Sequence, residues 1–143
     1  MPKKSIQFEL THIKYIDERG SMADMVLKLA ESFRDDWFPG CSVWESLQFA
    51  MIMLSLYQIH LTGRSASASD LSRKTGMPNA TVRRKLASLK KTGYVHQYGL
   101  HYELSVDGLN QPRLLEGFRR RLGTVKVSLQ RMLMLLTVPR SVA

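Results

Sequence analysis

The chain has 143 residues, enough for one domain with a sizeable core, and its 44% hydrophobic and 23% charged content is that of an ordinary globular protein. Its single cysteine, Cys41, excludes an internal disulfide. The longest apolar run, FAMIMLSLY, is too short to span a bilayer, and the basic N-terminus lacks the apolar run of a signal peptide, so a soluble cytoplasmic protein is expected. The net charge of +9 is unevenly spread: Met1–Gly63 carries −2, Arg64–His101 carries +7 and Tyr102–Ala143 carries +4. Charge gathered in one segment marks a surface suited to phosphate.

In chain order, residues 1–20 fit two periods. Ile6, Phe8 and Leu10 alternate as in a strand, while Ile13, Tyr15 and Ile16 fit a helix. Ser21 to Trp37 reads as a helix, with Ser21 and Asp24 as a capping pair and an apolar stripe of Met22, Met25, Val26, Leu29, Phe33 and Trp37. Pro39-Gly40 stops it. A second helix starts at Ser42, whose side chain and that of Glu45 can cap each other's backbone N–H, and ends near Thr62-Gly63. It is apolar around most of its circumference, which predicts burial on several sides.

The segment GRSASAS reads as a loop. Ser67 and Asp70 cap a short helix, ASDLSRKT, which Gly76 closes. Asn79 to Thr92 is a basic helix with an inward stripe of Val82, Leu86 and Leu89, ended by Gly93. A two-stranded hairpin turning at Gly99 follows, with Tyr102, Leu104 and Val106 alternating against His101, Glu103 and Ser105. After the turn-forming DGLNQP, a long helix runs to Thr137. Its apolar stripe is Leu115, Phe118, Leu122, Val125, Leu129, Met132 and Leu136, and Gly123 is a candidate bend.

Helix, tight turn TGMP, helix and hairpin form a winged helix-turn-helix, whose second helix suits a DNA major groove. With Val82, Leu86 and Leu89 inward, Ala80, Arg84 and Lys91 lie opposite, flanked by Thr81, Arg83 and Ser88. Groove-entering helices read bases from their first turns, so Asn79, Ala80, Thr81, Arg83 and Arg84 are the base-facing candidates. Lys91 and Lys90 suit phosphates, as do Ser67 and Ser69 at the start of their helix. On the wing, His96, Tyr98 and His101 complete the expected DNA-binding set. The fold class expected is mainly α (α+β), one winged-helix domain over 1–143. Its core spans about 43–106, with dimerisation elements at about 1–40 and 111–138.

The stretch ASDLSRKTGMPNATVRRKLASLKKTGYVHQYGLHYELS resembles the winged helix-turn-helix of bacterial transcription regulators through Leu71, Gly76, Thr81-Val82, Leu86, Leu89 and Gly93-Tyr94-Val95. The wording TGMPNATVRRKL…LKKTGYV is similar to the DNA-binding domain of the isocitrate lyase regulator (IclR) family. The layout is similar to the multiple antibiotic resistance regulator (MarR) family, where flanking helices entwine into a homodimer. IclR-type regulators carry a large effector domain, for which the chain leaves no room. MarR-type wings are long with Asp and Arg at the tip, whereas this one turns on YGLHY. The resemblance implies a homodimeric, sequence-specific regulator of double-stranded DNA, expected to be a repressor. It also implies a small-molecule effector pocket between dimer helices, for which the eight methionines, Trp37 and Trp44 are candidate walls. A protein-binding or non-specific DNA-binding winged helix is the alternative. Cys41, at a helix start, is a candidate redox thiol, and His96 and His101 a candidate facing pair across the hairpin. No catalytic constellation, metal-ligand spacing or cofactor motif is found.

Overall fold

The computed structural model describes residue 10 and residues 12–137, so the expectation for Ile6 and Phe8 lies outside the described residues. Helix α1 spans Ile16–Trp37 and α2 spans Val43–Leu61. Strand β1, Ala66–Ser67, leads into α3, Ala68–Thr75, and α4, Asn79–Thr92. Strands β2, Val95–Tyr98, and β3, His101–Leu104, form the hairpin, and α5, Val106–Leu109, and α6, Pro112–Thr137, follow.

This is a mainly helical winged helix-turn-helix with a three-stranded antiparallel sheet ordered β1-β3-β2. Helix α1 begins five residues before Ser21, so Ser21 is not its cap. Ser42 caps α2 by accepting from the Glu45 N–H at 3.1 Å, and no reciprocal bond from Glu45 accompanies it. The pair Ser67 and Asp70 does form a full capping box: the Ser67 hydroxyl accepts from the Asp70 N–H, and the Ser67 N–H donates to the Asp70 carboxylate at 2.9 Å. Gly76 and Gly93 close α3 and α4 with positive φ of 76° and 86°, where a side chain would be strained. Ser67 is not purely a loop residue, because β1 pairs with β3 through Ala66↔Tyr102 and Ser67↔His101. Two residues are too short a run for a period-2 signal to register. The alternation expected through Val106 also stops early: Ser105 turns inward as the cap of α5, and Val106 is exposed. Helix α6 runs unbroken through Gly123.

One core ties the winged domain together. Leu71 of α3 and Val82, Leu86 and Leu89 of α4 are fully buried with Ile52, Met53 and Leu56 of α2. Burying each such side chain stabilises by about 1.5–3 kcal/mol before entropy is charged. The opposite side of α2 departs from expectation. Trp44 is 71% exposed, and Leu47, Met51, Leu54 and Leu61 continue an exposed apolar stripe along the helix. The winged domain covers only one side of α2.

Helices α1 and α6 pack side by side around a buried charge. Asp36 accepts from Arg121 at 2.7 Å and from Arg120 at 3.1 Å, and the Arg121 guanidinium lies over the Phe33 ring. Gly117 provides the space, since a Cβ there would collide with the Asp36 carboxylate. Burial pulls the Arg121 guanidinium down in pKa, while Asp36 holds it charged. At the end of α1, the Tyr94 hydroxyl donates to the Trp37 carbonyl at 3.0 Å and accepts from Arg113, linking the helical pair to the end of α4.

Removing one partner of a buried pair leaves the other uncompensated, so Asp36→Ala should cost about 3–5 kcal/mol in denaturant unfolding. A midpoint within experimental error of wild type would show that the cluster does not hold α1 to α6. A pH effect follows from the capping box. The backbone N–H and then the hydroxyl of Ser67 hold the Asp70 carboxyl below its usual 3.8. A depressed folded-state pKa gives stability that is complete above the unfolded value and lost as pH falls through the folded one. Asp70→Asn should therefore flatten the decline in melting temperature below about pH 4, as read in thermal melts across an acid series.

Candidate nucleic-acid interface

Helix α4 presents its first turns to solvent because its hydrophobic stripe fixes its rotation. Val82, Leu86 and Leu89 face the core, which leaves Asn79, Ala80, Arg83, Arg84 and Lys91 exposed and Thr81 half-buried. The Pro78 backbone is extended, and α4 starts at Asn79 without a side-chain cap on its opening N–H groups. The turn is braced from both sides: the Ser72 hydroxyl donates to the Met77 carbonyl at 2.6 Å, and the Met77 N–H reaches the Thr75 hydroxyl. Met77 packs half-buried against the core, as such a turn requires.

The expected site residues of α3 and α4 divide into three groups. Asn79, Ala80 and Arg84 lie on the free face of α4. Arg83 turns sideways into a cleft of about 320 Å³, which it shares with Ser67, Ser69, Gln97, Leu100 and Tyr102. Ser67 and Ser69, from the start of α3, thus stand with an arginine of α4 and the inner side of the wing. Ser88 faces the other way, onto a cavity of about 550 Å³ lined by Trp37, Phe38, Cys41, Tyr94 and Arg113 among others.

On the wing, the register pairs His96 with Glu103 and Tyr98 with His101, so His96 and His101 are not direct partners. All four residues share one face, because partners across an antiparallel pair point the same way. His96 and Tyr98 also meet edge-on, with rings 6.3 Å apart. His101 lies in a separate cleft with Arg64, Asp70 and Lys74. Gln97 and Tyr102 occupy the opposite, inner face.

One basic residue escaped the sequence reading. Lys85, in the middle of α4, is only 4% exposed, and its ammonium sits 4.3 Å from the centre of the Phe49 ring. Its stem packs along the core while the ring face receives the charge. Its charge is therefore directed away from the free face of α4. The helical wheel carried the signal, since Lys85 falls about 40° beyond Leu89, at the edge of the inward arc.

Cys41 does not have the environment of a reactive thiol. Burial pushes its pKa up, the Glu45 carboxylate beside it adds to the effect, and Lys85 opposes them without cancelling them. Its place at the start of α2 does not outweigh that neighbour. The apolar cleft among α1, α2 and α6, about 450 Å³, is lined by Leu29, Phe33, Trp37, Leu54, Tyr57, Phe118, Arg121, Leu122 and Val125. Trp37 is part of this lining, and neither Trp44 nor a methionine is. Among the described residues no helix is long and apolar enough to cross a membrane.

The comparisons with known proteins bear on this region alone. Residues 60–99, from the end of α2 to the wing turn, match the family model of the IclR helix-turn-helix domain. No curated protein and no solved structure matches the chain. The matched stretch holds α3, the turn, α4 and the first wing strand, and it supports a helix-turn-helix, DNA-binding transcription regulator.

Proposed function

We propose that the protein is a homodimeric repressor that reads a pseudo-palindromic operator in double-stranded DNA. The observation that carries this reading is the face of α4, where small and cationic side chains, Asn79, Ala80 and Arg84, stand free at the N-terminal end of a helix braced by its own core stripe. Ala80 lets the backbone approach closely. Asn79 and Arg84 match adenine and guanine edges, Thr81 offers its methyl to thymine, and Lys91 lies far enough back to meet phosphate. Arg83 with Ser67 and Ser69 fits a backbone phosphate better than a base, given the cleft they share.

A second copy is the occupant we assign to the apolar faces of the helical layer, in the MarR-like manner. Leu115, Phe118, Leu122, Leu129 and Leu136 of α6 are exposed, as are Met22 and Val26 of α1 and the Trp44–Leu61 stripe of α2. At 37–87% exposure, these side chains amount to roughly the 800 Å² that one partner gives to a standard interface. A monomer rarely leaves such an expanse open to water. A two-fold axis would set the two α4 helices about 34 Å apart, one DNA turn. The cleft among α1, α2 and α6 lies within this surface, and a small apolar effector is placed there.

The test is selection of genomic fragments followed by gel shifts at about 0.15 M salt, where non-specific phosphate contacts are weakened. An enriched palindrome that resists excess random duplex is expected. Random duplex competing on equal terms would instead mark a non-specific or protein-binding winged helix. On the enriched duplex, Arg84→Ala should cost about 1–3 kcal/mol and relax discrimination at one position, while Lys91→Ala weakens every sequence alike and lowers the salt slope by about one. Wild-type behaviour in both variants would remove α4 from the interface. Leu122→Asp should give a folded monomer in sedimentation equilibrium, with DNA affinity reduced at least tenfold, whereas an unchanged mass would place the dimer contact elsewhere.

A further inference from the structure

We propose that the wing engages DNA through an apolar tip, with Leu100 and its neighbour Tyr98 entering the minor groove beside the segment held by α4. This inference rests on the DNA-binding reading above. Leu100 is 80% exposed and Tyr98 62%, on either side of Gly99, whose φ of 61° makes the tight turn. Neither side chain has a layer to pack under, yet the turn that carries them is firmly braced. The Gln97 side chain donates to the Gly99 carbonyl at 3.0 Å and accepts from the Lys90 ammonium at 3.2 Å. Lys90 belongs to α4, so the tip is held at a set position relative to the recognition helix.

The surroundings of the tip select its partner. Leu100 forms one wall of the cleft that also holds Arg83 and Ser69, and no carboxylate lines that cleft. Glu103, the acid of the hairpin, lies farther down β3, opposite His96. An apolar Leu100 beside the cation of Arg83 and the hydroxyls of Ser67 and Ser69, with the Tyr98 ring next to it across Gly99, suits a minor groove. The flanking phosphates meet the polar ring, and the sugar faces and base edges meet the apolar tip. Apolar side chains in the minor groove act by prying at a base step, which costs least at pyrimidine–purine steps. Such a wing reads deformability in place of a hydrogen-bond pattern.

The experiment uses the full chain and the duplex enriched above. The step under the wing, located by footprinting, is made either TA or GC, with 2-aminopurine placed beside it. Wild type, Leu100→Ala and Leu100→Lys are compared after thermal melts establish equal folding, which exposed turn positions should allow. Wild type is expected to prefer the TA duplex about tenfold and to raise the 2-aminopurine fluorescence. Leu100→Ala should bring the preference within about twofold and abolish the fluorescence rise, and Leu100→Lys should restore neither. If Leu100→Ala or Leu100→Lys keeps the preference and the fluorescence change, the apolar tip is overturned. If wild type enriches no duplex at all, the DNA-binding reading fails first and the tip proposal falls with it.

Discussion

Everything exposed on α4 depends on what is buried beneath it. Val82, Leu86 and Leu89 lock its rotation against Leu71 and the centre of α2. Because the stripe is narrow and fully buried, a small rotation would either expose a leucine or drive a cation into the core. Either costs more than a surface contact returns. The order of causes runs from core stripe to helix rotation to the set of side chains offered to a partner. The one cation that does face inward, Lys85, is tolerated because the Phe49 ring takes the place of water over its ammonium.

The second structural unit hangs on a different kind of contact. Asp36 gathers Arg120 and Arg121 across the α1–α6 seam, and the rings of Phe33, Trp37, Phe38 and Tyr94 carry that seam down to the end of α4. The Tyr94 hydroxyl, bonded to both the Trp37 carbonyl and Arg113, is where the helical layer and the winged domain meet. Burial raises the Tyr94 pKa, so the phenol stays protonated and keeps its donor bond at physiological pH. The α1–α6 seam is thereby joined to the base of α4 through a short run of packed aromatic side chains.

Much of the winged domain was legible because its signals are local. Capping by Ser67 and Asp70, closure by Gly76 and Gly93, the inward stripe of α4 and a turn at Gly99 each rest on a few adjacent residues. What was misread needs partners distant in sequence. The strand at Ala66–Ser67 exists only because β3 lies beside it. The start of α1 at Ile16 has no cap residue to mark it, since Tyr15 takes a left-handed backbone instead. Helix α2 looked central because it is apolar all round, but periodicity counts apolar residues and not the layers available to cover them. Among the site residues, the exposure of Ala80, Arg84 and Lys91 follows from a helical wheel, and that of Asn79 from its place at the start of the helix. The cleft that Arg83 enters depends on Ser67, Gln97 and Tyr102, neighbours that a wheel does not contain. The pairing of His96 with Glu103 depends on hairpin register, which the turn sets to the residue.

Ser67 occupies two roles at once, pairing with His101 in the sheet and capping α3. Sliding β3 by one residue would exchange the inner and outer faces of the wing and pull away the strand that holds this cap in place. A single insertion or deletion in β3 near the base of the wing therefore disturbs sheet and cap together. A change of length at the Gly99-Leu100 turn leaves both the register and the cap intact, so the reach of the wing can vary at its tip without disturbing the helix-turn-helix.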